Sequence, residues 1–278
     1  MLRLLLTRRW LGYLALGVVF AVVTVLLGNW QYSRHQEKVA ARDLVEAHYE
    51  ASPVPLEDVL APDGTPLAES DEWTRVTITG RYAVNDQLFV RNRPLNKTYG
   101  YEILVPLETP LGALPVNRGW APNADDAATL PVVPPAPGAE VAVTGWLRPG
   151  EVDLGRDMPA DQLASINLVA AAERWDRPVL GAYLVLQEEQ YADGSGAEIP
   201  RPIPLAAPRT DLGSHFAYSL QWWLSSPVLL ILVVVMARRE WQEQQSKAES
   251  GRGVRRPPVK AGSRDKPKKV RIWDEEDW

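Results

Sequence analysis

Two uncharged apolar stretches, one near each end of the 278-residue chain, constrain its architecture more than any other feature. The first covers residues 10–28, with Tyr13 and Thr24 its only polar members. A helix of about 18 such residues crosses roughly 30 Å of hydrocarbon. A secretory leader would carry a shorter apolar core and a small-x-small cleavage site. This stretch instead runs into Gly28-Asn29-Trp30-Gln31 and reads as an uncleaved anchor. The second stretch, 216–237, joins an aromatic lead-in, FAYSLQWWL, to the shorter run SSPVLLILVVVMA. Pro227 removes one backbone donor and loosens the helix near its outer end, where Ser225 and Ser226 can re-satisfy the carbonyls. A buried core helix is the rival reading for this stretch, and nothing after it could cover one.

Basic residues flanking the spans set their orientation. Arg3, Arg8 and Arg9 precede the first, and Arg238 and Arg239 follow the second. From Arg238 onward there are 12 Lys/Arg against 8 Asp/Glu, whereas residues 10–237 hold 15 against 27. Both termini (1–9 and 238–278) are therefore expected on the cytoplasmic side of the cell membrane. The acidic segment 29–215 is then expected on the outer, periplasmic side. Its negative charge disfavours nucleic-acid binding. The chain has no cysteine, which removes disulfides, thiolate metal sites and Cys nucleophiles from consideration.

The external segment reads as mainly antiparallel β with one or two short helices. Residues 30–50 continue the first span as a polar helix, ended by Ser52-Pro53 and Pro55. Alternating apolar and polar residues predict strands over 75–82, 87–91, 101–107, 114–120, 140–147 and 182–186. In the first of these, Val76, Ile78 and Tyr82 share a face. Residues 168–175 (LVAAAERW) are the one helical segment inside this region, and 122–138 reads as a Pro/Ala-rich surface excursion. VTITGRY (76–82) and VAVTGWL (141–147) resemble each other, through either a weak duplication or, more simply, common strand composition. The tail 251–269 is rich in Pro, Lys and Arg; it reads as disordered and suited to anionic headgroups. Trp273 to Trp278 sets aromatics amid acid, as a docking motif or as unselected tail.

No nucleophile elbow, phosphate loop, dinucleotide fingerprint or H-E-x-x-H is present, so nothing supports an enzyme. The carboxylate pairs Asp71-Glu72 and Asp125-Asp126 fall in loops and read as solvated surface. Chemistry-bearing residues gather instead at the outer ends of the two spans. Trp30, Arg34 and Lys38 follow at i, i+4 and i+8, and His215, Tyr218 and Trp222 at i, i+3 and i+7, each set on one helix face. An interfacial belt accounts for the aromatics, and snorkelling or headgroup contact for Arg34 and Lys38. A titratable ring at the mouth of a span is costly without a partner, so His215 is either a hydrogen-bonded structural histidine or a metal ligand. The functional reading is a haem-type site. In it the His215 imidazole takes iron, aromatic side chains wall the macrocycle, and Arg or Lys meets the propionates. Gly17 and Ala21, small residues four apart, would let the helices approach closely.

Three separated blocks carry a family resemblance. They are LGNWQYSRHQEK (27–38); GRY, VRNRP, GYEILVPL and LPVNRGWAP within 80–122; and SHFAYSLQWW (214–223). Together they resemble the surfeit locus protein 1 family, assembly factors of cytochrome c oxidase. Ser219 stands where that family usually has Ala, and Trp223 where Phe is usual. The resemblance implies a non-enzymatic membrane factor that helps mature the haem-a-containing subunit I, with haem a held transiently. Other oxidase or supercomplex subunits are further possible partners. It makes His215 the candidate iron ligand and puts Trp30, Arg34, Arg118, Tyr218 and Trp222 at signature positions around the cofactor. Asn117, Gly119, Trp120 and Gln221 are also signature residues. The segment 117–120 has a structural alternative: a bulge at Gly119, packing by Trp120, and carbonyl contacts from Arg118. Two other functions remain open, a permanent accessory subunit of a respiratory supercomplex without a haem role and an external sensor signalling through the tail.

Overall fold

The computed structural model describes residues 2–124, 126 and 129–252. Of the tail expected to be disordered, Gly251 and Arg252 end the last helix, and the remainder, the Trp273–Trp278 segment and Asp125 lie outside the described residues. The described residues form two units, a helical one (within 2–30 and 217–252) and a β unit (within 31–216).

The helical unit contains α1 (Leu2–Leu5), the first part of α2 (Arg8–His48), most of α4 (His215–Ser225), and α5 (Val228–Arg252). Two helical stretches, Arg8–His48 and His215–Glu249, are long and apolar enough to cross a membrane. They pair side by side. Trp10 is buried with Val233 and Ala237, and Arg9 comes within 3.7 Å of Glu240. Further along, a Cβ placed on Gly17 would lie 2.7 Å from Leu230, and the Trp223 indole donates to Asn29 Oδ1 at 3.1 Å. The partner numbers fall as the α2 numbers rise, so the pair runs antiparallel. Its close approach at Gly17 is the one the small-residue spacing predicts. Pro227 divides the second stretch into two helices. As expected, the hydroxyls of Ser225 and Ser226 cap the carbonyls of Trp222 and Trp223, at 2.8 and 2.9 Å.

In the β unit, α2 continues as a polar helix to His48, where the chain turns. The strands are β1 (Val54–Pro55), β2 (Arg75–Tyr82), β3 (Leu88–Leu95), β4 (Thr98–Thr109), β5 (Gly112–Pro122), β6 (Glu140–Arg148), β7 (Gln162–Leu163) and β8 (Tyr183–Tyr191). They follow the order β1-β2-β6-β8-β5-β4-β3-β7, and β2 also meets β4 through Arg81↔Glu108 and Tyr82↔Leu107. That last pairing closes β2, β6, β8, β5 and β4 into a five-stranded barrel, which leaves those strands without a free edge. Most pairings are antiparallel. The exceptions, β1 with β2, β3 with β7, and β5 with β8, are parallel and each joins two residues. The two similar segments noted above are β2 and β6, and they lie against each other in antiparallel register.

Strand alternation divides the apolar residues between two cores. One gathers Val76, Ile103, Val105, Leu114, Val116, Val143 and Leu184 from all five barrel strands. The other lies on the opposite face, where α3 (Leu168–Trp175) buries Ala171 and Trp175 against Leu104, Trp146 and Val185. Asn167 starts α3 by accepting the Ala170 amide at 2.9 Å, and Asp176 ends it in the left-handed conformation. The Trp175 indole donates to the Asp86 carbonyl at 2.7 Å.

Residues 122–138 are more than a surface excursion. Ala136 is buried and Leu130 and Val133 pack on the first core, so this segment helps to cover the barrel. The Pro-rich run 200–208 is likewise a strap. Ile203 exchanges both backbone hydrogen bonds with Trp120, at 2.7 and 2.9 Å.

Candidate functional site

Within the β unit, the run 208–216 lies beside the polar part of α2, and the contacts fall on one stripe of that helix. Gln31, His35 and Lys38 are spaced i, i+4 and i+7, so they share a face. His215 Nδ1 sits 2.8 Å from Gln31 Oε1. The His35 and Phe216 rings have centroids 5.2 Å apart. Gly213 adopts φ +63°, and a Cβ there would stand 3.3 Å from Lys38 Nζ and 3.8 Å from His215 Cδ2. Its amide is held by Asp211 Oδ1 at 3.1 Å. The ammonium and the imidazole therefore flank the same glycine. Next to them is a cavity of about 400 Å3 lined by Lys38, Arg42, Glu72, Trp73, Arg148 and Arg209, among others.

The four cations at this cavity differ in how they are compensated. Arg42 meets Asp43 at 2.7 Å and Glu46 at 3.5 Å. Arg148 meets Glu72 at 2.9 Å and lies over the Trp73 ring, 4.3 Å from its centroid. Lys38 and Arg209 have no ion pair among the described residues. The cavity lining thus holds these four cations and the two carboxylates of Glu72 and Asp211.

An amide oxygen only accepts hydrogen bonds, so the Gln31 contact requires His215 Nδ1 to be the donor. In the neutral ring this leaves the Nε2 lone pair free, the arrangement by which a second partner orients a metal-binding histidine. No group of three or more His, Cys, Asp or Glu able to hold a metal ion occurs among the described residues.

The other residues expected around a cofactor fall in different places. Trp30, Tyr218 and Trp222 belong to the helical unit, with Trp30 and Tyr218 about half exposed. There it is Trp223, next to Trp222, that bonds to Asn29. Arg34 is exposed and pairs with Glu37 at 2.8 Å, one turn along the helix.

Arg118 is set apart by burial. Its side chain is fully enclosed in the β unit. It donates to Glu189 at 2.6 Å and to the carbonyls of Pro134 and Pro200, each at 3.3 Å, and lies over Tyr82, 5.3 Å from the ring centroid. The Tyr82 hydroxyl donates to the same Glu189 at 2.9 Å. Burial first, and the Glu189 charge second, push the Tyr82 phenol well above its ordinary value. The contacts with the Pro134 and Pro200 carbonyls are those of the structural alternative for Arg118. The rest of 117–120 agrees. Arg118 is the extra residue of a bulge, since Ile103 pairs with Gly119 and Leu104 with Asn117. Gly119 takes φ +137°, and a Cβ there would stand 2.5 Å from the Ile203 carbonyl oxygen. Trp120 is buried, and its indole donates to the Arg93 carbonyl at 2.7 Å.

Sequence reasoning missed His35, Arg42 and Arg209, although the i, i+4, i+7 spacing of Gln31, His35 and Lys38 was a usable signal. It also missed a cluster on the outer face of the sheet. There Arg93 pairs with Glu151 and lies 3.7 Å from Glu102, beside a cavity of about 230 Å3 that Tyr183 and Trp146 help to line. Burial raises the Glu102 carboxyl, against the opposing pull of Arg93 and of Asn117, which donates to it at 2.7 Å. Burial likewise raises the Tyr183 phenol.

Comparison with known proteins bears on the whole arrangement. The SURF1 family model matches residues 18–226, which include both the α2 stripe and His215. Uncharacterized SURF1-like proteins of Mycobacterium bovis and Mycobacterium tuberculosis are 28% identical over 221 residues, covering 76% of this chain and 78% of theirs. The cytochrome oxidase assembly protein SHY1 of Saccharomyces cerevisiae is 30% identical over 112 residues, 38% of this chain and 28% of that protein. A match through most of the β unit and into both long helices leaves one assignment, and this chain belongs to the SURF1 family.

Proposed function

We propose that this protein is a membrane-bound, non-enzymatic assembly factor for cytochrome c oxidase, which holds haem a through His215 and supports its delivery to subunit I. The observation that carries the reading is the Gln31–His215 hydrogen bond of 2.8 Å, which orients the ring and leaves Nε2 for iron. Haem a is cargo here, and its iron would be held by the His215 imidazole. Tyr218 and Trp222, which follow His215 at i+3 and i+7, and Trp30 and Arg34 are further candidate contacts by their places in the sequence. Homology to SHY1, named as an oxidase assembly protein, supports the partner class.

The distribution of Arg and Lys around the spans supports an orientation with both termini cytoplasmic and the β unit outside. Because the chain lacks cysteine, single cysteines report this directly. An impermeant maleimide should label Ser195→Cys in intact cells and leave Gln242→Cys unlabelled. The reverse pattern overturns the orientation.

The function is tested in cells lacking their own copy of the gene, by the haem a content of purified oxidase. His215→Ala should lower it several-fold while the variant accumulates in the membrane at the normal level. Full haem a content with His215→Ala would remove the ligand role and favour an accessory subunit.

A further inference from the structure

The cavity beside the α2 stripe has a use that the imidazole alone does not explain. We propose that Lys38 and Arg209 form an anionic subsite that holds the carboxylate arms of the haem whose iron meets His215. This rests on the haem reading above and deepens it.

Position supports it first. Gln31, which orients the imidazole, and Lys38 are seven residues apart on one helix face. At the α-helical rise that is about 10 Å along the axis. A porphyrin presents its metal at the centre and its two carboxylates together on one rim. The Lys38 ammonium and the His215 ring flank one glycine, so a haem held by the imidazole would bring its carboxylate rim towards the cationic pocket beside it. The Lys38 ammonium bridges the two regions, since it flanks Gly213 together with His215 and also lines the cavity.

Charge supports it second. Arg42 and Arg148 are already matched by carboxylates, so their presence does not create a demand for an anion. Lys38 and Arg209 are not matched. Asp211 also lines the cavity, with one oxygen holding the Gly213 amide, and forms no ion pair with either cation among the described residues. A ligand bringing carboxylates would give Lys38 and Arg209 the ion pairs that they lack.

Size supports it third. About 400 Å3, walled on one side by the Trp73 ring, accommodates carboxylate arms with their water but not a porphyrin macrocycle. The macrocycle therefore stays outside this cavity. The strip is thus divided by function along its length, with metal recognition at the His215 end and carboxylate recognition at the Arg209 end.

The experiment titrates full-length protein in detergent with protohaem and with protohaem dimethyl ester, whose arms are neutral. Wild type should bind protohaem at least tenfold more tightly than the ester, as expected for about 1.4 kcal/mol or more from charge-assisted hydrogen bonds. Lys38→Ala with Arg209→Ala should lose that preference and bind both compounds alike. Its absorption spectrum should still depend on His215, and its melting temperature should be unchanged. Lys97→Ala, which removes a cation elsewhere on the β unit, should keep the wild-type preference. Because the ester also partitions more strongly into detergent, the deciding quantity is the change in preference between proteins. The proposal is overturned if the double variant discriminates as wild type does, or if wild type shows no preference while its spectrum depends on His215. If no protein shows a His215-dependent spectrum, the haem reading itself falls, an outcome distinct from the other two.

Discussion

The Arg118 cluster and the His215 strip are both marked by family-specific motifs, yet the structure treats their polar groups in opposite ways. Arg118 is enclosed with Glu189, Tyr82 and two carbonyl oxygens, and its charge is answered within the fold. His215 is half-buried, answered on one nitrogen only, and beside two cations that have no acid partner. A buried charge must be matched internally because leaving it unmatched costs several kcal/mol. A group meant for a ligand must stay unmatched until the ligand arrives. A motif of high specificity does not by itself say which of these two demands it serves. The degree of internal compensation does.

The largest expected effect follows from the enclosed cluster. Arg118→Ala should cost about 3–5 kcal/mol of stability, because it strands the Glu189 carboxylate in the interior. Thermal or urea unfolding of the full chain measures it. Replacing both partners, Arg118→Met with Glu189→Leu, should recover much of the loss. An unchanged unfolding midpoint for Arg118→Ala would erase the contrast between the two regions.

A smaller effect comes from Glu102, whose carboxyl is raised by burial. Its folded pKa exceeds its unfolded one, so the folded state binds the proton more tightly. The associated stability is fully present below the ordinary carboxylate pKa and is lost as pH rises through the raised value. Melting temperature against pH should therefore carry a downward slope above the ordinary carboxylate pKa, and Glu102→Gln should flatten it. A slope unchanged by the substitution would show that this cluster is compensated as completely as Arg118.

The smallest stability effect belongs to the strip. Gln31→Leu removes a half-exposed hydrogen bond and should cost about 1 kcal/mol or less. Its consequence should appear in binding, as weaker haem affinity once the His215 ring is no longer oriented. A large loss of stability would mean that Gln31 and His215 serve the fold, as Arg118 does.

Much of this molecule can be read from local pattern. The apolar stretches, the bounds of β2, the helix Leu168–Trp175 and the role of Ser225 and Ser226 at Pro227 all follow from periodicity, capping and proline chemistry. Barrel closure does not. It depends on β2 meeting β4 and on a two-residue parallel contact between β5 and β8, which join segments distant in sequence and leave no local signature. The covering roles of Ala136 and Ile203 are hidden for the same reason, since Pro-rich composition resembles a surface loop whether or not it is packed. The site was half legible. His215, Lys38 and their helix spacing were visible in the sequence. Arg209 was not, because a cation in an irregular segment has no periodicity to place it. Arg118 was visible but its burial was not, because burial is set by the bulge at Gly119 and by a strap some 80 residues away, Arg118 to Pro200.

The central claim is that the His215 imidazole, held by Gln31, presents a free nitrogen to haem iron. Its most direct test is the optical spectrum of the full-length protein purified from cells that make haem a. The account predicts a Soret band that is present in wild type and lost in His215→Ala, with the variant protein still folded. A band of the same position and strength in that variant, or no bound haem in wild type, would contradict it.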